Sequence, residues 1–128
     1  AELEYSDKIE IAKGLPLKEV EVDLTELPIL KYFKGDGGRY ITAGVVIAKR
    51  IDSEVEPDSF NASIHRMMLL DKNRLVIRLV KPRHTYLLWK DAVESGRDLP
   101  VAIVIGVHPL FMFASATRLP FGKEFAYA

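Results

Sequence analysis

Charged and apolar residues alternate over Glu19-Val20-Glu21-Val22-Asp23-Leu24. A period of two predicts a half-exposed strand, because successive side chains of an extended chain point to opposite faces. Pro28 ends that stretch, and Lys34-Gly35-Asp36-Gly37-Gly38 reads as a glycine-rich loop. Residues 39–49 (RYITAGVVIAK) are rich in β-branched and aromatic side chains and predict a strand. Residues 51–60 are polar and contain a proline, so they read as a loop. Residues 61–70 and 74–80 are two strand-like runs joined by Asp71-Lys72-Asn73, a turn-compatible link, and predict a hairpin. Lys81-Pro82 closes it. His84 to Glu94 then predicts an amphipathic helix with Leu87, Leu88 and Val93 on its apolar side, and Gly96 stands where a left-handed residue ends a helix. The unbroken apolar run Pro100 to Gly106 suits a buried strand. Pro109 suits the first position of a second helix over 110–116. A loop follows from Thr117 to Gly122, and Glu124 opens a third helix.

These elements sum to a mainly β fold with flanking helices. Several consecutive antiparallel strands fit a closed or split β-barrel better than a parallel sheet. The charged, irregular stretch from Glu2 to Leu17 reads as a lead-in arm or a short edge strand. Residues 1–20 are therefore expected to be an arm or linker, and residues 21–128 the domain.

Composition narrows the function classes. The 128 residues suit one domain, and 48% hydrophobic residues exclude a disordered chain. Lys plus Arg equal Asp plus Glu at 18 each, so no global charge invites nucleic acid or an anionic membrane. No apolar run approaches the roughly 18 residues of a membrane span. The acidic start Ala1-Glu2-Leu3-Glu4 is unlike a signal peptide, and the absence of cysteine removes disulfide and thiolate chemistry. A cytoplasmic protein is the expectation. Glutamine is absent and only Asn61 and Asn73 represent asparagine, a tendency of heat-adapted proteins. The chain begins with Ala1 and stops at Ala128, just inside a new element, so a longer protein is expected on both sides.

Candidate chemistry gathers around Asn61, Arg66, His84 and Glu124. Strand parity sends Asn61, Ser63 and His65 one way and Ile64, Arg66 and Met68 the other. The hairpin turn lies about midway between Asn61 and His84, so the chain can return His84 to the start of Asn61's strand. Glu124 also opens an element. An amide oxygen, an imidazole and a carboxylate form a mixed set suited to Mn²⁺ or Mg²⁺. Each residue also has a plain structural reading. Asn61 can cap a loop, Arg66 can pair with an acidic neighbour, and His84 and Glu124 can simply favour helix starts. By the same reasoning His65 and His108 read as structural.

Several segments, in order, resemble the UbiD decarboxylase family. They are Asn61-Ala62-Ser63-Ile64-His65-Arg66-Met67-Met68, the turn Asp71-Lys72-Asn73-Arg74, and Lys81-Pro82-Arg83-His84. Flanking them are residues 27–42, the strand and Pro109 helix from Leu99, and Leu119-Pro120-Phe121-Gly122-Lys123-Glu124. The resemblance covers about 27–128. It implies a split β-barrel of the flavin-reductase, FMN-binding type. It also implies a prenylated FMN supplied by a partner flavin prenyltransferase, its phosphate held through Mn²⁺ (or Mg²⁺) with K⁺ nearby. On the matching positions, Asn61, His84 and Glu124 correspond to metal ligands. Arg66 corresponds to a catalytic arginine over the flavin that can steer a carboxylate. Ser63, Ile64, His65 and Arg66 correspond to a flavin-contacting strand, and Arg83 to a flavin contact beside the histidine. Ser115, Ala116 and Thr117 correspond to a loop near phosphate and K⁺. That loop is shorter than the family pattern, and Arg118 stands where a proline is common.

The implied reaction is non-oxidative decarboxylation of an aromatic or α,β-unsaturated acid. The candidate substrates are a 4-hydroxy-3-polyprenylbenzoate of quinone (ubiquinone) biosynthesis and, in archaea, anhydromevalonate phosphate of isoprenoid biosynthesis. Heat-adapted composition favours the second. The family's proton-donating glutamate lies beyond this segment, so the segment alone is expected to be inactive, and the full-length protein to be a homo-oligomer. Two other classes compete: a split-barrel module using ordinary FMN as a reductase or electron carrier, and an interaction domain using Phe111-Met112-Phe113 as its surface.

Overall fold

The computed structural model describes Gly14 and residues 17–128. Most of the proposed arm, Glu2 to Leu17, lies outside the described residues. Four strands form one curled antiparallel sheet, a half-barrel. They are β1 (Tyr40–Lys49), β2 (Phe60–Asp71), β3 (Arg74–Ile77) and β4 (Val101–Val104), in the order β3-β2-β1-β4. Three helices accompany them: α1 (His84–Glu94), α2 (Pro109–Ala116) and α3 (Glu124–Tyr127).

The expected hairpin is β2-β3. Asp71 shapes its turn: one carboxylate oxygen accepts from the Asn73 amide at 3.2 Å and the other from Arg74 Nε at 2.7 Å. In β3 and just beyond it, Leu75, Ile77 and Leu79 are half-buried while Arg74, Val76, Arg78 and Val80 are exposed. Alternation thus sets the register. β2 pairs along its length with β1, but with β3 only from Met67 to Asp71. The first half of β2 therefore has an edge that β3 does not reach.

Parity assigns the faces. Asn61, Ser63, His65 and Met67 point to the α1 side, where α1 buries Thr85, Leu88 and Ala92 at i, i+3 and i+7. Met67, Ile41 and Val46 are buried there, with Ile29, Leu75 and Ile77 against them. Phe60, Ala62, Ile64 and Arg66 point to the α2–α3 side. There the Phe125 ring lies 6.1 Å from Phe60 and 4.9 Å from Phe111.

Three expectations change. Residues 19–23 form no strand; a 3-10 turn, Leu24–Glu26, follows them. Among the described residues no strand pairs with this stretch, which is tied back only by the Leu24 amide donating to the Lys72 carbonyl, and its side chains are mostly exposed, so charge alternation alone does not fix extended structure. On α1, Leu88 is buried but Leu87 and Val93 are exposed. The buried stripe runs through Thr85 and Ala92 instead. The apolar run at Pro100 is an edge strand, not a buried one: β4 pairs only with β1, and Val101, Ile103 and Ile105 are exposed. Its hydrophobicity has no covering layer among the described residues. The helix stop is as expected, with Gly96 at φ +67°.

Candidate functional site at the open edge of β2

Two helix starts close on the first half of β2, at the edge that β3 does not reach. His84 is the first residue of α1 and Glu124 the first of α3. His84 Nδ1 lies 4.0 Å from Glu124 Oε1, beyond hydrogen-bond reach. Glu124 is only 4% exposed, and its Oε2 has no hydrogen-bond partner among the described residues. Burial pushes the Glu124 carboxyl above its usual range, while the amides of Glu124, Ala62 and Gly122 act in the opposite direction. A carboxylate held in this way is costly unless something positive meets it.

The approach to Glu124 is built by its loop. The Phe121 ring meets His84 edge-on at 5.5 Å, and the Arg50 guanidinium lies 4.5 Å from the same ring's centre. Gly122 has φ +76° and passes so close to the Asp58 carbonyl that a β-carbon would collide with it. Lys123 Nζ then meets Asp58 Oδ2 at 2.7 Å. These contacts pin the loop to the turn before β2 and so fix where α3 starts.

Asn61 is 1% exposed. Its Nδ2 donates to Ser63 Oγ at 3.3 Å and to Thr85 Oγ1 at 3.2 Å. The two hydroxyls lie 2.8 Å apart, and His65 Nε2 reaches them at 2.9 and 3.2 Å. Burial depresses the His65 pKa and favours the neutral ring. The chain thus returns α1 to the start of β2 as expected, through Thr85, the neighbour of His84. Thr85 was not legible as a site residue. Its one signal is a hydroxyl beside His84 on the stripe that continues to Leu88 and Ala92.

Arg66 is on the opposite face from Asn61, as parity requires. Its guanidinium lies 4.1 Å from the centre of the Tyr40 ring and 3.8 Å from Asp36 Oδ1, while its side chain stays 58% exposed. The acidic-neighbour reading therefore holds, and the head remains open to a ligand. Ile64 is half-buried on the same face, and Arg83 is exposed just ahead of α1. Ser115 and Thr117 donate to the α2 carbonyls of Phe111 and Phe113, each at 2.8 Å. Ala116 is exposed. Those three residues are not joined to the His84–Glu124 pair by any of these contacts.

The donor set fits a small divalent cation. Among the described residues no three His, Cys, Asp or Glu side chains cluster, so an ion here would draw on His84, Glu124 and an amide oxygen. The buried, unpartnered Glu124 Oε2 is the observation that favours one. By contrast, a groove of about 430 Å³ on the α1 face is lined by groups such as Met67, Leu75, Trp89 and Ile103. Thr85, Arg97 and Asp98 also line it, but neither His84 nor Glu124 does. No described helix is long and apolar enough to cross a membrane.

Comparison with known proteins places this geometry in context. A family model described as "UbiD: 3-octaprenyl-4-hydroxybenzoate carboxy-lyase Rift-related domain" matches residues 8–128. An anhydromevalonate phosphate decarboxylase of Archaeoglobus fulgidus is 60% identical over 121 residues, which are 94% of this chain and 27% of that protein. One from Methanosarcina mazei is 52% identical over 131 residues, 100% of this chain and 30% of that protein. The chain thus spans less than a third of these relatives. Among solved structures, an evolved dimeric form of the UbiD-class enzyme HmfF from Pelotomaculum thermopropionicum, in complex with prFMN, is similar. It has a TM-score of 0.68 and 42% identity, over 82% of this chain and 24% of that one. Vanillic acid decarboxylase of Sedimentibacter hydroxybenzoicus in its closed form gives a TM-score of 0.78 at 25% identity, over 83% and 23%.

Proposed function

The chain belongs to the UbiD family, and on that premise we propose that the full-length protein decarboxylates anhydromevalonate phosphate in isoprenoid biosynthesis, using prenylated FMN. This segment contributes the residues that hold the cofactor phosphate through a divalent ion, Mn²⁺ or Mg²⁺, with K⁺ nearby. The observation that carries the reading is the meeting of His84 with a buried, half-unpartnered Glu124 at the open edge of β2. The named activity of the two archaeal relatives favours the phosphate substrate over an aromatic acid.

The chemistry divides between cofactor and protein. Loss of CO₂ from an unsaturated acid leaves an electron pair on an unsaturated carbon, and prenylated flavin, when bound, supplies the electron sink for it. Asn61, His84 and Glu124 hold the ion, with Ser63 to Arg66 and Arg83 lining the cofactor. Ser115, Ala116 and Thr117 serve the phosphate and K⁺. Arg66 receives the substrate carboxylate in place of the longer contact to Asp36. A guanidinium suits this task because it stays charged and presents paired N–H groups to two carboxylate oxygens. The acid that protonates the product belongs to the rest of the protein, so the segment alone does not turn over.

The test is direct. Full-length protein, coexpressed with a flavin prenyltransferase, is assayed for CO₂ release from anhydromevalonate phosphate and from a 4-hydroxy-3-polyprenylbenzoate. Release from the first acid is expected. Release from the second alone would overturn the substrate assignment.

A further inference from the structure

The amide of a metal-ligating asparagine has two faces, and only its oxygen can meet a cation. Asn61 is fully enclosed, so something in the protein must decide which face points to the ion. The hydrogen-bond cluster beneath it supplies the means. Four polar groups share it: Asn61 Nδ2, Ser63 Oγ, Thr85 Oγ1 and His65 Nε2. The proton inventory is limited. Each hydroxyl has one hydrogen to give and two lone pairs to receive, whereas the amide nitrogen can only donate.

When His65 Nε2 accepts, one hydroxyl proton goes to the imidazole and the other lies between the two oxygens, 2.8 Å apart. Both hydroxyl protons are then committed. The oxygens can only receive from Asn61, so the amide turns its NH₂ toward them and its Oδ1 away. The opposite polarity, with His65 Nε2–H donating, frees a hydroxyl proton for Oδ1 and turns the NH₂ outward, where it cannot bind a cation. Thr85 meets each of the other three groups, Asn61 Nδ2, Ser63 Oγ and His65 Nε2. It is 3% exposed and sits directly after His84, so the same helix start that presents one proposed ligand also orients another.

We infer that Thr85 is a positioning residue for Asn61, accepting from its amide nitrogen so that Oδ1 is left to ligate the cation, with His65 Nε2 accepting a hydrogen bond from the hydroxyl pair. The inference rests on the metal-ligand reading above and names a residue that reading does not use. Loss of partners that orient metal ligands typically weakens metal binding by about 10- to 100-fold. Thr85→Val keeps the shape and removes the hydroxyl, and a loss in that range is expected. Thr85→Ser keeps the hydroxyl and is expected to bind as the wild type does.

The experiment titrates MnCl₂ into full-length protein saturated with FMN and follows free Mn²⁺ by electron paramagnetic resonance. Thermal midpoints are recorded in parallel. Asn61→Ala and the double variant Asn61→Ala/Thr85→Val complete a cycle. Weaker Mn²⁺ binding in Thr85→Val, rescue in Thr85→Ser, and no further loss on adding Thr85→Val to Asn61→Ala support the inference. If Asn61→Ala weakens binding while Thr85→Val binds as the wild type does, the inference fails and the ligand reading survives. If Asn61→Ala and His84→Ala both leave binding unchanged, the ligand reading fails and the inference falls with it. Should Thr85→Val not fold, Thr85→Ala removes the same hydroxyl without a new methyl contact and carries the same expectations.

Discussion

Glu124→Gln should stabilise the metal-free protein and abolish the benefit it draws from metal. Glu124 is 4% exposed, with one carboxylate oxygen unpartnered. Leaving a buried polar atom without a partner costs roughly 1–3 kcal/mol, more when it is charged. A neutral glutamine of nearly the same shape removes the charge but leaves a polar group in the same place, so only the part of the cost due to charge is relieved and a gain of about 1 kcal/mol is expected at pH 8. A kcal/mol is worth roughly 2–4 °C in the thermal midpoint of a domain of 150–250 residues and less in a larger protein, so a rise of up to a few degrees is expected. The pH dependence has a definite sign. Burial raises the folded-state pKa of Glu124 above the ordinary 4.5, so the folded wild type takes up a proton before the unfolded chain does. Its stability therefore rises as pH falls through the raised value and levels off near the ordinary one. The advantage of Glu124→Gln should be largest at pH 8 and fade toward pH 5. Saturating Mn²⁺ should reverse the order. At one hundred times the dissociation constant a bound ion adds about 2.7 kcal/mol, and the variant lacks the carboxylate proposed to bind it. The assay is thermal unfolding of the full-length protein, stripped of metal and then reloaded, across that pH range. A metal-free variant less stable than the wild type at pH 8, or a difference indifferent to pH, would refute the argument that Glu124 is a strained, ion-seeking carboxylate.

Gly122→Ala should displace the loop that carries Glu124, because Gly122 has φ +76° and a β-carbon would strike the Asp58 carbonyl. The left-handed backbone alone costs about 1–2 kcal/mol for a non-glycine residue, and weaker Mn²⁺ binding together with a lower thermal midpoint is the expected result. Arg66→Ala should leave stability within about 0.5 kcal/mol, as for other exposed substitutions, because its side chain is 58% exposed and its ion pair to Asp36 is 3.8 Å long. On its proposed role the effect falls on substrate: loss of a charge-assisted contact worth about 1.5–3 kcal/mol should lower kcat/KM by roughly 10- to 100-fold. Arg66→Lys should recover only part of it, since an ammonium lacks the paired geometry; steady-state kinetics of the two full-length variants read this out.

The legible parts of the fold are those governed by local physics. The β2-β3 hairpin follows from alternation on both sides of a turn that Asp71 closes itself. The bounds of α1 follow from the proline before it and Gly96 after it. Residues 19–24 and the run from Pro100 depart from expectation for a shared reason: their structure depends on what lies beside them. Alternation needs a neighbouring strand, and an apolar strand needs a covering layer; sequence supplies neither. The site divides in the same way. Parity places Asn61, Ser63 and His65 apart from Arg66, and the hairpin returns α1 to β2. That His84 and Glu124 meet is a tertiary fact, fixed by the close passage of Gly122 over Asp58, and the sequence carried it only through family resemblance. Thr85 carries no such signal, because a buried threonine on a helix stripe is indistinguishable in sequence from packing.

The central claim is best tested by coexpressing the full-length protein with a flavin prenyltransferase, then measuring the released cofactor by mass spectrometry and the metal content, for wild type and His84→Ala. The account predicts prenylated FMN with Mn²⁺ in the wild type and loss of both in the variant. Ordinary FMN, or no flavin, with metal content unchanged by the substitution would contradict it.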